Sequence, residues 1–511
     1  MKILSFVLSL LTTTCLVVAQ PKLVPLTILH WNDFHAHNEE YKPWARDFVT
    51  PVESEYTVGG SAVFLGYIDK FRNELPNTLV LNAGDDFQGT VVSTVTLGKS
   101  QVELMNLINP DAVTLGNHEF DYGSNSLKEH LKIARYPVLV ANLYDTQEKK
   151  TYVRPTKIVS RGGITIGLIG LTHPELETLV LKDSLVNLTL LNVDSVVSWH
   201  VAQFKKQNVN LIVAITHIGL RYDSLLAVKH PELDVIVGGH SHFPLPSPKK
   251  INRSIIVQAE KWGRFLGKLD LMFDTQGDSV YSYNGELIET KHGVVEPNPL
   301  VAKKVHELTE SVKAAMSVVI GELKTPLERS GEGTGCRESS AGNWQADTFM
   351  EFAKTDVAFQ NAGGIRKGLQ AGQITVGDIW EMNPFGNHYV TFTVTGSTLR
   401  AMLEFQVSFA SGQECVQIGG IRFVYDSRKP AGQRVLSVEV RGKTLNDTET
   451  YSATTNNYVA SSFGAHFGVD PKNVRFTSLT KLDRDIIIEK IQKERIIEAH
   501  VDGRIRNLAN E

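Results

Sequence analysis

Cysteine is scarce in this chain of 511 residues, with only Cys15, Cys336 and Cys415. A scaffold stapled by several disulfides is excluded. A dominant charge is also missing: 52 basic residues face 56 acidic ones, for a formal net charge of −4. No basic cluster is long enough to follow a nucleic-acid backbone, so a nucleic-acid polymer is not an expected partner. Internal repeats and low-complexity tracts are absent as well, which excludes solenoid architectures.

What is present is an ordinary folded composition, 42% hydrophobic and 21% charged. Its length exceeds one common core and implies two large domains or three. The N-terminus, "MKILSFVLSLLTTTCLVVAQ", has one Lys, an apolar centre interrupted by Thr12 to Thr14, and then small residues. That is the layout of a secretory signal peptide, residues 1–19, cleaved near Ala19. The C-terminal "HVDGRIRNLANE" is charged and lacks the apolar tail of a lipid-anchor signal, so a secreted, extracellular protein without a membrane anchor is expected. Sequons at Asn187, Asn252 and Asn446 fit glycosylation of an exported chain. Cys15 leaves with the signal peptide, and export leaves two outcomes open for Cys336 and Cys415: a bridge, or two buried thiols.

Over residues 24–290, short runs rich in Val, Ile and Leu alternate with amphipathic segments: "VPLTILHW", "NTLVLNAG", "DAVTLG", "YPVLVANL", "ITIGLIGLT", "VNLIVAITH" and "LDVIVGGH". Such runs suit the buried strands of a layered α/β domain. A linker helix is expected within 291–320, where Pro297 and Pro299 precede Val301, Val305, Leu308, Val312 and Met316 at helical spacing. A second α/β domain is expected over 321–505, with strand-like "TDVAFQNAGG", "HYVTFTVTG", "IRFVYD" and "VLSVEVRG".

Several runs of the first domain end in a side chain able to bind metal. "NDFHAH" supplies Asp33 and His35, "DDFQG" supplies Asp85, "LGNHEFDYG" supplies Asn117, "AITH" supplies His217, and "GGHSH" supplies His240 and His242. Carboxylate, imidazole and amide oxygen suit borderline-hard divalent ions, and loops at the ends of neighbouring strands bring such residues together. His37 and Asp86 are read as neighbours that point elsewhere or support the ligands. The expected cofactors are two divalent metal ions, Zn, Mn, Mg or Ca. His118 stands next to Asn117, placed to meet charge on a phosphate, and Asp121 stands three residues on, suited to orient its imidazole. Glu119 has no evident task.

Together "NDFHAH", "GDDFQG", "GNHEFDYG", "THIGL" and "GGHSH" resemble the successive metallophosphatase motifs of 5'-nucleotidases. "NAGGIR", "NPFGN" and "VQIGGIRFVYDSRKP" resemble their C-terminal domain, the last particularly that of animal ecto-5'-nucleotidases and arthropod salivary apyrases. The resemblance implies an N-terminal layered α/β/β/α dimetal phosphatase domain, a linker helix and a C-terminal α/β substrate-binding domain that rotates to deliver nucleotide. It carries over Asp33, His35, Asp85, Asn117, His217, His240 and His242 as ligands, with His118 and Asp121 as the catalytic pair. His242 stands where the family commonly has Gln or Asn. On the substrate side it implies phosphate contacts from Asn361 and Arg366, base stacking between Phe385 and Tyr458, and a base contact from Asn387.

Two positions depart from the family pattern. An Arg usually stands three residues before Glu338, where this chain has Gly335, and Arg337 is the candidate replacement. The family's Gly-Gly-Asp-Gly, whose Asp holds the ribose, is replaced by "SSFGAH" at 461–466. Losing such a charge-assisted bond typically costs about 1.5–3 kcal/mol. The expected activity is metal-dependent hydrolysis of extracellular nucleotides, ATP and ADP to AMP with AMP to adenosine as an option, and with it inhibition of platelet aggregation. The alternatives are a non-catalytic nucleotide or receptor binder on the same fold, and a phosphodiesterase acting on cyclic nucleotides or nucleotide sugars.

Overall fold

The computed structural model describes residues 21–43, 56–330, 336–408 and 415–510. The expected signal peptide, Cys15 and Gly335 lie outside the described residues. Every apolar run picked out in the N-terminal half contains a strand: Leu23–Trp31, Thr78–Asn82, Ala112–Thr114, Val138–Leu139, Ile164–Leu171, Leu211–Thr216 and Val235–Gly238.

These strands divide between two six-stranded sheets. In the first, Leu23–Trp31, Thr78–Asn82, Ala112–Thr114 and Val138–Leu139 run parallel, and antiparallel Phe265–Asp274 and Ser279–Glu289 extend the edge beside Leu23–Trp31. In the second, Ser254–Val257, Val235–Gly238, Leu211–Thr216 and Ile164–Leu171 are parallel in that order, flanked by antiparallel Lys249–Ile251 and Thr156–Arg161.

Burial on both faces explains the unbroken apolar runs. Along Leu211–Thr216, Leu211, Val213 and Ile215 enter the core between the sheets, while Ile212 and Ala214 face the outer helices with Val197, Val201 and Phe204. On the first sheet Leu26 and Ile28 point inward, while Leu29 and Trp31 pack outward against Phe64 and Ile68 of helix Ser61–Glu74. The result is the α/β/β/α sandwich. Because the central strands are parallel, their C-terminal ends lie along one rim of each sheet, where the loops bearing the candidate ligands begin.

Helix Pro299–Met316 follows, its first N–H groups capped by the Asn298 side chain, which accepts from Leu300 and Val301. Val301 and Val305 are buried in the outer core of the first sheet, and the helix also packs against Val376–Met382 of the C-terminal part. There a five-stranded sheet runs Val416–Gly419, Val357–Asn361, Thr450–Asn456, His388–Thr395, Thr477–Leu482, and a four-stranded sheet contains Ile421–Tyr425 and Val435–Val440. Cys336 and Cys415 form a disulfide with Cα atoms 4.7 Å apart, which decides between the two outcomes left open by the sequence.

Candidate active site

Five of the seven expected metal ligands hold left-handed backbone: Asp33 (φ 53°), His35 (49°), Asp85 (59°), His240 (76°) and His242 (54°). An L residue pays about 1–2 kcal/mol for that conformation. It persists where the surroundings over-determine it. The turns here are pinned by backbone bonds between loops, with Asp33 N–H donating to Gly84 O, His35 N–H to Asp85 O and Trp262 N–H to Asp33 O, each at 2.8–2.9 Å.

These turns bring the side chains into two contiguous triads. Asp33 Oδ1 lies 3.0 Å from His242 Nε2 and 3.8 Å from His35 Nε2. Asp85 Oδ2 lies 2.9 Å from His217 Nε2, and His240 completes that group. His217 Nε2 is 3.9 Å from Asp33 Oδ1, which joins the two. Within each triad the donor atoms all lie within 4.8 Å of one another, and His35, Asp85 and His118 form a third, overlapping group. Asn117 Oδ1 sits 3.0 Å from His240 Nδ1, beside the second triad.

The donor set fits divalent cations. Asp33 Oδ1 and His217 Nε2 are fully buried and have only the other carboxylates and imidazoles of the cluster for company, a concentration of donor atoms that a cation would satisfy. His35 Nδ1 donates to Gln88 O at 3.1 Å and His217 Nδ1 to Ala83 O at 2.7 Å, which leaves both Nε2 atoms to the cluster. Burial opposes charge on His217, yet Asp85 and Asp33 lift its pKa to about 10. The field of these carboxylates is thus strong enough to recruit a positive charge.

His118 Nδ1 meets Asp121 Oδ2 at 2.7 Å. Burial disfavours the imidazolium, but Asp121 and Asp85 outweigh it and hold the His118 pKa above its usual value. Glu119, unassigned from sequence, accepts backbone N–H from Gly116 (2.7 Å), Asp85 (3.0 Å), Asp86 (2.7 Å) and Phe87 (3.3 Å). It ties the loop of Asp85 to the loop of Asn117 and His118. Asn32, also missed, donates to Asp33 Oδ2 at 2.6 Å and accepts from Ala259 N–H at 2.8 Å. His37 stacks on Trp262 at 4.5 Å and Asp86 Oδ2 accepts from Asn82 at 2.6 Å, so neither joins a triad.

From the C-terminal side, the Phe385 ring stacks on His118 with centroids 5.7 Å apart and planes 27° from parallel. The Arg366 guanidinium lies 5.9 Å over the Phe385 ring, and its charge adds to burial in lowering the pKa values of His35 and His37 across the domain boundary. Burial, with the Asp121 carboxylate second, raises the Tyr458 hydroxyl to about 12. Asn361 Oδ1 accepts from Asn456 at 2.7 Å. Asn387 is buried, its carbonyl accepting from Asp483 N–H at 2.7 Å. Arg337 is not brought to this group: it is exposed, its carbonyl accepts from Gln417 and its charge bears on the Tyr425 hydroxyl. In "SSFGAH", Phe463 enters the core and His466 lies 5.9 Å from the Tyr458 ring.

Residues 26–244 match the calcineurin-like phosphoesterase family and residues 319–467 match the 5'-nucleotidase C-terminal domain. The human 5'-nucleotidase is 30% identical, over 94% of this chain and 90% of that protein. The chain belongs to the 5'-nucleotidase family. Another similar relative is the apyrase of Aedes aegypti, 30% identical over 92% of this chain and 91% of that protein. Among solved structures, a 5'-nucleotidase precursor from Thermus thermophilus superposes with a TM-score of 0.83 at 31% identity, covering 96% of this chain and 100% of that one. As a 5'-nucleotidase family member with a metallophosphoesterase domain, this chain is a nucleotide-hydrolysing enzyme, and its His/Asp clusters fit divalent metal binding.

Proposed function

We propose that this enzyme is an exported apyrase-like nucleotidase that hydrolyses ATP and ADP to AMP, with AMP as a further substrate. The observation that carries this reading is the stack of Phe385 on His118, which sets the candidate base platform directly beside the metal cluster. Two divalent ions, held by Asp33, His35 and His242 and by Asp85, Asn117, His217 and His240, would supply a water of lowered pKa and positive charge for the attacking and leaving oxygens.

The chain's own residues do the rest. Phe385 and Tyr458 hold the flat base between two rings. Arg366 presents a guanidinium to phosphate oxygens, and Asn361, already anchored by Asn456, adds an amide donor. His118, whose charged form the Asp121 carboxylate favours against burial, donates toward the oxygen on which negative charge grows. Asn387 is proposed as a peripheral contact to the base. The domains are assigned as 24–290 and 321–505, joined through 291–320.

Export is supported by the Cys336–Cys415 disulfide, a bond that persists in oxidising compartments. No helix among the described residues is long and apolar enough to cross a membrane. Glycans at Asn187, Asn252 and Asn446, and removal of the nucleotides that drive platelet aggregation, complete the reading.

The test is phosphate release from AMP, ADP and ATP by the purified protein with Zn, Mn, Mg or Ca ions, before and after chelation. Release from ATP and ADP that chelation abolishes is expected. Binding of nucleotides without release from any of them would replace this reading with the non-catalytic binder.

A further inference from the structure

The loop that carries His240 and His242 is held from beneath by one side chain outside every motif singled out in the sequence. Gln258 follows strand Ser254–Val257 and is fully buried. Its Nε2–H donates to Gly239 O at 2.8 Å, and its Oε1 accepts from Ser241 Oγ and from Phe243 N–H, both at 2.9 Å. One planar amide thus fixes the residue before His240, the residue between the two histidines, and the residue after His242.

Both histidines are left-handed, at φ 76° and 54°, in a stretch that an unconstrained chain would leave for extended or helical backbone. There is little room to relax: a Cβ at Gly239 would stand 2.8 Å from Ala83 O and 2.9 Å from His217 Nδ1. His242 belongs to the triad with Asp33 and His35, and His240 to the triad with Asp85 and His217. We propose that Gln258 is a positioning residue for both metal sites, its amide setting one ligand of each triad.

The proposal rests on the two-ion reading, and the experiment separates the two. Mn²⁺ is titrated calorimetrically into the metal-free full-length protein and into Gln258→Leu, and near-ultraviolet circular dichroism checks that each is folded. A parent that takes up no ion would overturn the two-ion reading itself, and the proposal with it. With two ions bound by the parent, both steps are expected to weaken roughly 10- to 100-fold in Gln258→Leu, the usual range for partners that orient metal ligands. Parent affinity at both steps, including a variant that loses only thermal stability, would overturn the role of Gln258. If Gln258→Leu does not fold, Ser241→Ala decides, since it removes one of the three bonds and leaves the amide in place. A severalfold weakening of at least one step is then expected, and two unchanged steps would overturn the proposal.

Discussion

Around Asp33 and Asp85 the donors and acceptors are fixed by buried amides, carbonyls and the Glu119 carboxylate, whereas around Phe385 and Tyr458 the contacts are rings and one guanidinium. The first region is specified by directional bonds and tolerates little. The second is specified by flat surfaces, which accept a change of neighbour as long as a face remains. The expected departures touch both regions: "SSFGAH" brings His466 beside the Tyr458 ring, and His242 stands in the triad with Asp33 and His35.

The sharpest way to break that contrast is His118→Ala. It is expected to lower phosphate release roughly 10²- to 10³-fold with metal uptake unchanged, as for loss of one preorganised donor. Undiminished turnover in a steady-state assay would remove His118 from the chemistry. Next, Phe385→Ala and Tyr458→Ala should each raise KM by roughly fivefold to a hundredfold, the equivalent of about 1–3 kcal/mol of base stacking, with a smaller change in kcat. Equal losses in kcat would show that the rings belong to the rigid region after all.

Glu119→Gln replaces an oxygen that faces backbone N–H groups with an NH₂. It should cost about 1–3 kcal/mol in urea unfolding of the metal-free protein. The smallest effect concerns Asp223, fully buried, with Thr216 Oγ donating to one oxygen and the other unpartnered. Burial raises its pKa from 3.8 to about 7. A carboxyl whose folded pKa lies above its unfolded value favours folding below the unfolded pKa. That contribution is lost as pH rises through the folded one. Asp223→Asn cannot titrate, so its melting temperature relative to the parent should improve from about pH 4 to about pH 7 and stay level above. A constant offset across that range would contradict the shift.

Seven parallel strands of the N-terminal half were plain in the sequence because both faces are buried and the run is unbroken, while Ser254–Val257, equally buried but four residues long, was passed over. The antiparallel strands Phe265–Asp274 and Ser279–Glu289 escaped notice, since the first mostly alternates between buried and partly exposed residues and the second, at the sheet edge, has no buried residue. The clustered Asp and His side chains were readable because ligand chemistry is written in residue type and each motif follows a strand. Glu119, Asn32 and Gln258 were not. An amide or a lone carboxylate carries no such signature, and what Glu119 and Asn32 hold lies 33 and 227 residues away in the chain. Arg337 is the candidate replacement for the Arg absent at Gly335, and in the structure it is exposed, its charge bearing on the Tyr425 hydroxyl.

The left-handed ligands have a consequence for anyone engineering this enzyme. Glycine at Asp33, His35, Asp85, His240 or His242 would relieve about 1–2 kcal/mol of backbone strain per site. Screens that reward thermal tolerance alone will therefore be drawn to the positions that make the protein useful. A hardy variant recovered that way is expected to be inert, so such a search needs an activity gate from its first round.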